Sequence, residues 1–86
     1  MKIRQKLLLN ILLKSPETDI ETLSEEFNVS SRTIRNDIDE ISYYLIENLK
    51  KDVIRVKNGN VILKLNDEDR KKVNHIYREQ DYYSYK

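Results

Sequence analysis

The 86-residue sequence predicts a small α+β domain that is mainly helical and carries one β-hairpin. Apolar residues recur every three or four positions in several stretches, which is the spacing of one helical face. A β-branched stretch at residues 52–65 surrounds the dipeptide Asn58-Gly59, and Asn-Gly is the strongest short signal for a hairpin. A chain of this length supplies one modest hydrophobic core, so we expect a compact unit with its helices around the hairpin.

The first predicted helix covers Lys2–Lys14 and ends before Pro16, because the residue before a proline is disfavoured in the α conformation. Its apolar side is broad and is widened by Leu9 and Leu13. The predicted inward face comprises Ile3, Leu7, Leu8, Ile11 and Leu12. We expect this face to belong to the core, with a membrane-surface helix as the alternative.

The second predicted helix begins near Thr18 or Asp19, and the sequence leaves both starts open. Thr18 with Glu21 fits a capping box, whereas Asp19 fits a simple N-cap. Its five acids predict a solvated face and favourable charge at the helix N-terminus, rather than a metal or catalytic site. They are Glu17, Asp19, Glu21, Glu25 and Glu26.

Residues 23–45, LSEEFNVSSRTIRNDIDEISYYL, predict two helices joined by a tight turn. Asn28 tolerates the left-handed conformation and so ends the first of them, while Ser30 caps the next. Val29 is expected to pack between the two. The third helix then runs from Ser31 to about Leu49, and its inward stripe is Ile34, Ile38, Ile41 and Leu45. This arrangement is a helix-turn-helix.

The hairpin at residues 52–65 and a fourth helix complete the predicted fold. A two-residue turn at Asn58-Gly59 places two cross-strand pairs on the core face, and they are Ile54 with Leu63 and Val56 with Val61. The pairs expected on the outer face are Arg55 with Ile62 and Val53 with Lys64. The fourth helix is predicted from Asn66, which caps it unless Asp67 does, to about Gln80. The tail DYYSYK is open to three interpretations: packing on a neighbour, stacking on bases, or fraying.

The run VSSRTIRNDIDEI at residues 29–41 resembles the turn and recognition helix of bacterial winged helix-turn-helix regulators. It is most similar to the N-terminal domain of sugar-operon activators that carry domains controlled by the sugar phosphotransferase system (PRDs). It is also similar to deoxyribose-type repressors, which usually have a second Arg at the position of Asn36. The resemblance covers about the first three quarters of the chain.

This resemblance implies a winged helix-turn-helix with a three-helix core, a wing and a C-terminal helix. It implies a DNA-binding domain at residues 1–66, with residues 67–86 forming a helix and tail that lead toward regulatory domains. The implied function is sequence-specific binding of double-stranded DNA in transcription regulation of a carbohydrate operon. A homodimer is expected of a full-length regulator, and the chain is interpreted as an isolated module or a fragment of one.

Candidate DNA-binding residues lie on the third helix and on the wing, which is the predicted hairpin at residues 52–65. In helix-turn-helix proteins the start of the recognition helix enters the major groove, where Arg suits guanine and Asn suits adenine. The candidates on that helix are Ser31, Arg32, Thr33, Arg35 and Asn36. Asp37, Asp39 and Glu40 follow, so we expect the DNA-facing part to end after two turns, unless Asp39 accepts from a cytosine or orients one of the arginines. The candidate phosphate contacts on the wing are Arg55, Lys57 and Lys64.

The amino-acid composition argues against several other classes of function. The chain has no Cys, one His and one Gly, which leaves no thiolate metal site, no nucleophile–base pair and no glycine-rich phosphate loop. We expect no enzyme activity, cofactor, metal or small-molecule ligand on this domain. The longest apolar run, Leu7–Leu9, is too short to span a membrane, and a cytoplasmic protein is the simplest interpretation.

Two other functions are weighed against DNA binding. The first is a winged helix that binds a protein through the first helix or the tyrosine tail, without contacting DNA. The second is an RNA antiterminator, whose head is β-rich, so the helix-turn-helix argues against it. Cations on both the third helix and the wing favour DNA, since a protein-interaction module does not require them.

Overall fold

The computed structural model describes the backbone of residues 1–85 and the side chains of residues 1–76. Within this range the helices are α1 (Ile3–Lys14), α2 (Ile20–Phe27), α3 (Ser31–Leu49) and α4 (Asp67–Tyr85). The strands are β1 (Glu17–Asp19), β2 (Ile54–Lys57) and β3 (Asn60–Leu63). The α+β class with a three-helix core, a wing and a C-terminal helix is therefore confirmed.

One hydrophobic core joins the helices to the sheet. The residues predicted to be central to it, Ile34, Ile38, Ile41, Ile54 and Leu63, are all buried. Other members come from every helix and from the hairpin: Leu8, Leu9, Leu12, Ile20, Leu23, Leu45, Leu49, Val53, Val61 and Val73. The apolar stripe of α3 accordingly faces inward as its period predicted.

The inward face of α1 differs from the predicted one. Ile3 and Leu7 are 75% and 48% exposed, whereas Gln5 and Lys6 are buried. The Gln5 side chain donates from Nε2 to Asp37 Oδ1 (3.3 Å) and to Glu40 of α3, and this polar contact turns Gln5 toward the core. The buried apolar residues are therefore Leu8, Leu9 and Leu12, and the helix starts at Ile3 rather than at Lys2.

The turn between α2 and α3 forms as predicted. Asn28 has the left-handed φ of 54° that ends α2. Ser30 Oγ accepts from the backbone N–H of Thr33 at 3.1 Å and caps α3. Val29 is partly buried against the core. Both helix ends are thus set by local side-chain chemistry, and this chemistry fixes where α3 begins.

Of the two predicted starts of α2, the structure has the later one. Asp19 Oδ2 accepts from the backbone N–H of Thr22 at 3.0 Å, so Asp19 is the N-cap. Thr18 lies instead in β1, and its hydroxyl donates to the carbonyl of Ser15 at 3.1 Å. The capping box of Thr18 with Glu21 does not form, because Thr18 is part of strand β1.

The sheet has three antiparallel strands in the order β1-β3-β2, where the sequence predicted only the β2–β3 hairpin. The predicted hairpin pairs are confirmed, with Ile54 opposite Leu63 and Val56 opposite Val61. Asn58 and Gly59 have φ of 53° and 79°, as a tight turn between two strands requires. Strand β1 is three residues of mixed polarity, ETD, and gives no alternating pattern to recognise.

Two valines of the hairpin differ in burial from the prediction. Val53 is buried, because it precedes β2 and so does not follow the alternation of inward and outward side chains along that strand. Its carbonyl accepts from Lys64 N at 2.8 Å. Val56 is exposed, since it lies close to the turn in a stretch where residues 55–58 are all exposed. The core side of the hairpin therefore consists of Val53, Ile54, Val61 and Leu63.

Helix α4 is fixed to the rest of the fold at its first two turns. Asn66 Oδ1 accepts from Asp69 N at 2.8 Å, so Asn66 is the cap. Lys51 Nζ lies 2.5 Å from Asp69 Oδ2, and Arg70 Nη1 donates to the Leu13 carbonyl at 2.9 Å. The helix continues to Tyr85, beyond the predicted end. The division at residue 66 stays a prediction, and Tyr77 and the tyrosine tail lie outside the described side chains.

Candidate nucleic-acid interface

The first two turns of α3 present three exposed polar side chains, those of Arg32, Arg35 and Asn36. Ile34 and Ile38 are buried on the inward side of this helix, whereas Arg32, Arg35 and Asn36 are exposed. Within residues 1–76, none of the three side chains has a hydrogen-bond or ion-pair partner, so the orienting contact with Asp39 does not form. Their donors and acceptors are available to a ligand.

The other two candidates on this helix are placed differently. Ser31 and Thr33 are half-buried. Thr33 Oγ1 lies 3.0 Å from Ser30 Oγ, and the Thr33 N–H is bonded to the same oxygen. The structure thus separates the five predicted residues into three available side chains and two that belong to the helix start.

The three predicted cations of the wing are exposed, and within residues 1–76 none has a side-chain partner. Arg55 and Lys57 are two residues apart on β2 and so share one face. Lys64 follows the end of β3, four residues from Asn60, which pairs with Lys57. At a strand rise of about 3.4 Å per residue, Lys64 is roughly 14 Å from the turn. Arg55 and Lys57 are brought together, while Lys64 lies at the base of the hairpin.

Acidic residues occupy the opposite edge of the sheet. Asn60 Nδ2 donates to Glu17 Oε2 at 3.0 Å, and Asp19 is the next outward residue of β1. Two strand spacings, about 10 Å, separate the acidic edge strand β1 from the basic edge strand β2. A phosphate is repelled by the first and attracted by the second, so electrostatics favours the β2 edge over the β1 edge for an approaching phosphate.

The wing turn is held against the start of α2, because Ile20 N donates to the Gly59 carbonyl at 2.9 Å. Helix α2 has eight residues, so its two ends are about 12 Å apart along its axis. The wing turn lies at one end, and α3 begins just after the other. Helix α2 therefore sets the separation between the wing turn and the start of α3.

Asp37 is a residue of this region whose role the sequence did not reveal. It is 3% exposed and accepts from Arg4 Nε at 2.5 Å and from Arg4 Nη2 at 3.2 Å. Burial by itself would raise the pKa of Asp37, but the hydrogen bonds from Arg4 and Gln5, with the charges of Arg4 and Lys2, hold that pKa below its ordinary value. The bond to Asp37 in turn raises the pKa of Arg4.

A sequence signal for Asp37 existed. It stands three residues after Ile34, on the side of the helix that the apolar stripe turns inward. A carboxylate there requires a cationic partner, and Arg4 is one of four cations in the first predicted helix.

Beyond its second turn the outward surface of α3 becomes acidic. Asn36, Asp39, Glu40 and Tyr43 line a shallow, open groove there. Among the residues that the structure describes, no three His, Cys, Asp or Glu side chains converge as a metal site would require. Nor does the described part of the chain contain a helix of the length and hydropathy that crossing a bilayer demands.

Two helices joined by a tight turn, a third helix packed behind them and a β-wing define the winged helix-turn-helix class. The chain belongs to the HTH domain family HTH_11, whose model matches residues 4–59, from the first turn of α1 to the wing turn. It is therefore a DNA-binding regulatory domain of the helix-turn-helix type, and its partner is DNA. Comparison with curated proteins and with solved structures gave no significant match.

Proposed function

We propose that this domain binds double-stranded DNA at preferred sequences and thereby regulates transcription. The observation that carries the proposal is the set of exposed, unpaired side chains of Arg32, Arg35 and Asn36 at the start of α3. Arg takes guanine O6 and N7 as a pair, and Asn takes adenine N6 and N7. Ser31 and Thr33, being half-buried, are assigned to shaping the helix start and to short contacts with the groove wall.

The wing supplies phosphate contacts in this proposal. Arg55 and Lys57 lie on the basic β2 edge, and Lys64 extends the cationic surface toward the base of the hairpin. Contacts of this kind fix the register of a protein on the duplex without reading its sequence. The acidic edge at Glu17 and Asp19 repels the DNA backbone, which therefore stays on the β2 side of the wing.

The finer assignment to a carbohydrate operon is supported by the resemblance of VSSRTIRNDIDEI to sugar-operon activators. Helix-turn-helix dimers bind two half-sites about one helical turn, or a multiple of it, apart. We propose the same for a full-length regulator that contains this domain, acting in the cytoplasm. The isolated domain then binds a single half-site weakly, because one small module offers few contacts.

The test begins with selection of bound fragments from random duplex DNA, which defines the preferred site. Arg35→Ala is expected to cost about 1–3 kcal/mol on that site and to flatten the preference at one or two positions. Lys57→Ala is expected to weaken all sequences alike and to reduce the salt slope by about one unit. Lys71→Ala is the matched control, because Lys71 lies on α4 beside Asn48, near the far end of α3.

Titrations of each variant against the preferred site and a scrambled duplex, at several salt concentrations, separate these behaviours. If Arg35→Ala loses equal affinity on both duplexes while Lys57→Ala changes the preference, the roles of helix and wing are reversed. If Lys71→Ala reproduces the Lys57→Ala result, the effect is one of net charge and the wing assignment is wrong.

A second candidate function is protein binding without DNA, and the exposed side chains of Ile3 and Leu7 favour it. They lie on the outer side of α1, one turn apart, where a partner would bury them. A chain that binds no duplex even at about 50 mM salt, where phosphate contacts are strong, would support this function instead.

A further inference from the structure

The start of α1 carries a basic feature that the helix and wing contacts leave unused. Residues 1–14 contain four cations and no acid. Two of them, Lys2 and Arg4, are here called the α1 basic end. Lys2 is exposed, and its backbone N–H donates to Oε1 of Gln5 at 3.1 Å, while Nε2 of the same Gln5 donates to Asp37, so Lys2 lies near the Arg4–Asp37 pair. Lys2 and Arg4 thus lie close together beside α3.

The position of Arg4 is set by two bonds to a buried carboxylate. Its Nε and Nη2 both donate to Asp37, which orients the plane of the guanidinium. A guanidinium has five N–H donors, so three remain after these two bonds, two of them on Nη1. The side chain is about one third exposed. Asp37 therefore acts as a positioning residue that holds Arg4 with donors to spare.

This point lies beside the proposed groove helix. Asp37 directly follows Asn36, so Arg4 sits on the flank of α3 at the end of its second turn. An α-helix with its side chains is about 10–12 Å across, and the major groove is about 12 Å wide. Groups on the flank of a helix seated in that groove consequently meet the sugar-phosphate backbone at its edge.

Of the two acids near the basic end, Asp37 is buried, whereas Glu40 is exposed and its charge acts on Arg4. Asp37 is buried beneath Arg4, and its oxygens are engaged by Arg4 and Gln5. Glu40 is one turn further along α3 and accepts from Gln5. The side chains of Lys2 and Arg4 therefore lie nearer the protein surface than the carboxylate of Asp37.

We propose that Lys2 and Arg4 bind backbone phosphates at the edge of the major groove, as a contact separate from the wing. This inference rests on the proposed function, because it requires α3 to lie in the groove. Lys2 supplies a point charge, and the outer N–H groups of Arg4 supply directed hydrogen bonds. The contact is independent of sequence and fixes the angle at which α3 enters the groove.

The first test compares Lys2→Ala with Lys14→Ala, in the full 86-residue chain, on a labelled duplex of mixed sequence. Lys14 is the matched control, since it is an exposed lysine at the other end of the same helix. One lost phosphate contact lowers the slope of log affinity against log salt by about 0.9. The deficit of Lys2→Ala relative to wild type should therefore shrink about 3.5-fold between 50 and 200 mM salt, whereas Lys14→Ala should follow the wild-type slope.

The second test removes the Arg4 contact without changing the net charge. The double variant Arg4→Gln/Asp37→Asn loses one cation and one anion and keeps groups that can hydrogen-bond to each other. Its salt slope should fall by about 0.9 if Arg4 binds a phosphate, and should match wild type if only net charge matters. Lys2 is exposed, so Lys2→Ala decides whether the basic end binds even where the double variant is unstable.

The outcomes separate this inference from the proposed function. A wild-type chain that binds no duplex overturns both. A wild type that binds, together with a Lys2→Ala slope equal to that of Lys14→Ala, overturns the inference alone. The inference is supported if the salt slopes of Lys2→Ala and of the double variant are both lowered. The preference for the base positions assigned to Arg35 should stay unchanged in both variants.

Discussion

Truncation of Ile38 in the middle of α3 tests the orientation on which the whole interface depends. Ile38 is 1% exposed, and the side chains of α3 that we assign to DNA are outward only if Ile38 is inward. Ile→Ala removes three carbons, which at about 0.8 kcal/mol each represents about 2.4 kcal/mol of lost transfer free energy. The cavity left behind adds to this, and measured costs for such sites are about 2–5 kcal/mol.

Ile46→Ala provides the matched control on the same helix. Ile46 is 38% exposed, so its truncation removes less buried surface and leaves no enclosed cavity. Both substitutions gain the same small amount of helix propensity, because Ala is the better helix former in each case. The difference between the two variants therefore reports burial alone, and we expect Ile46→Ala to cost less than about 1 kcal/mol.

Urea unfolding and thermal melts followed by circular dichroism measure both costs. A loss of about 3 kcal/mol in a domain of this size lowers Tm by roughly 12–24 °C. If Ile46→Ala costs as much as Ile38→Ala, the inward stripe of α3 is rotated from the position described. Arg32, Arg35 and Asn36 would then no longer share the outward face, and the interface built on them would fail with it.

Two further predictions concern pH and the wing turn. The pKa of Asp37 is lowered in the fold, so its ionised form stabilises the protein above the ordinary Asp pKa of about 3.9, and that contribution is lost as the pH falls below it. Melts at pH 6 and pH 3 should show a larger loss for wild type than for Arg4→Gln/Asp37→Asn, and equal losses would contradict the assignment. At the wing, Gly59 has φ of 79° and open space where the Cβ of a larger residue would lie, so Gly59→Ala should cost about 1–2 kcal/mol through backbone strain alone. Gly59→Asn should cost less in the same urea titration, since Asn tolerates this conformation, and equal costs would point to a lost contact instead.

The sequence by itself determined the elements whose shape is decided locally. The α2–α3 turn follows from Asn28 and Ser30, because a left-handed residue and a hydroxyl cap act within a few residues of themselves. The register of β2 with β3 follows from Asn58-Gly59, because a two-residue turn leaves one alignment of the strands. The exposure of Arg32, Arg35 and Asn36 follows from the apolar period of α3, although their contact with DNA stays a prediction.

Only the tertiary structure decided which side of α1 is buried. Leucines and isoleucines lie around much of that helix, so periodicity favoured a face that includes Ile3 and Leu7. The actual choice came from Arg4 and Gln5 reaching Asp37, more than thirty residues away in sequence. Strand β1 was also not predictable from the sequence, because its three residues acquire strand geometry only by pairing with β3. Such contacts depend on where the helices meet in space, and the spacing of residues along the chain does not encode that distance.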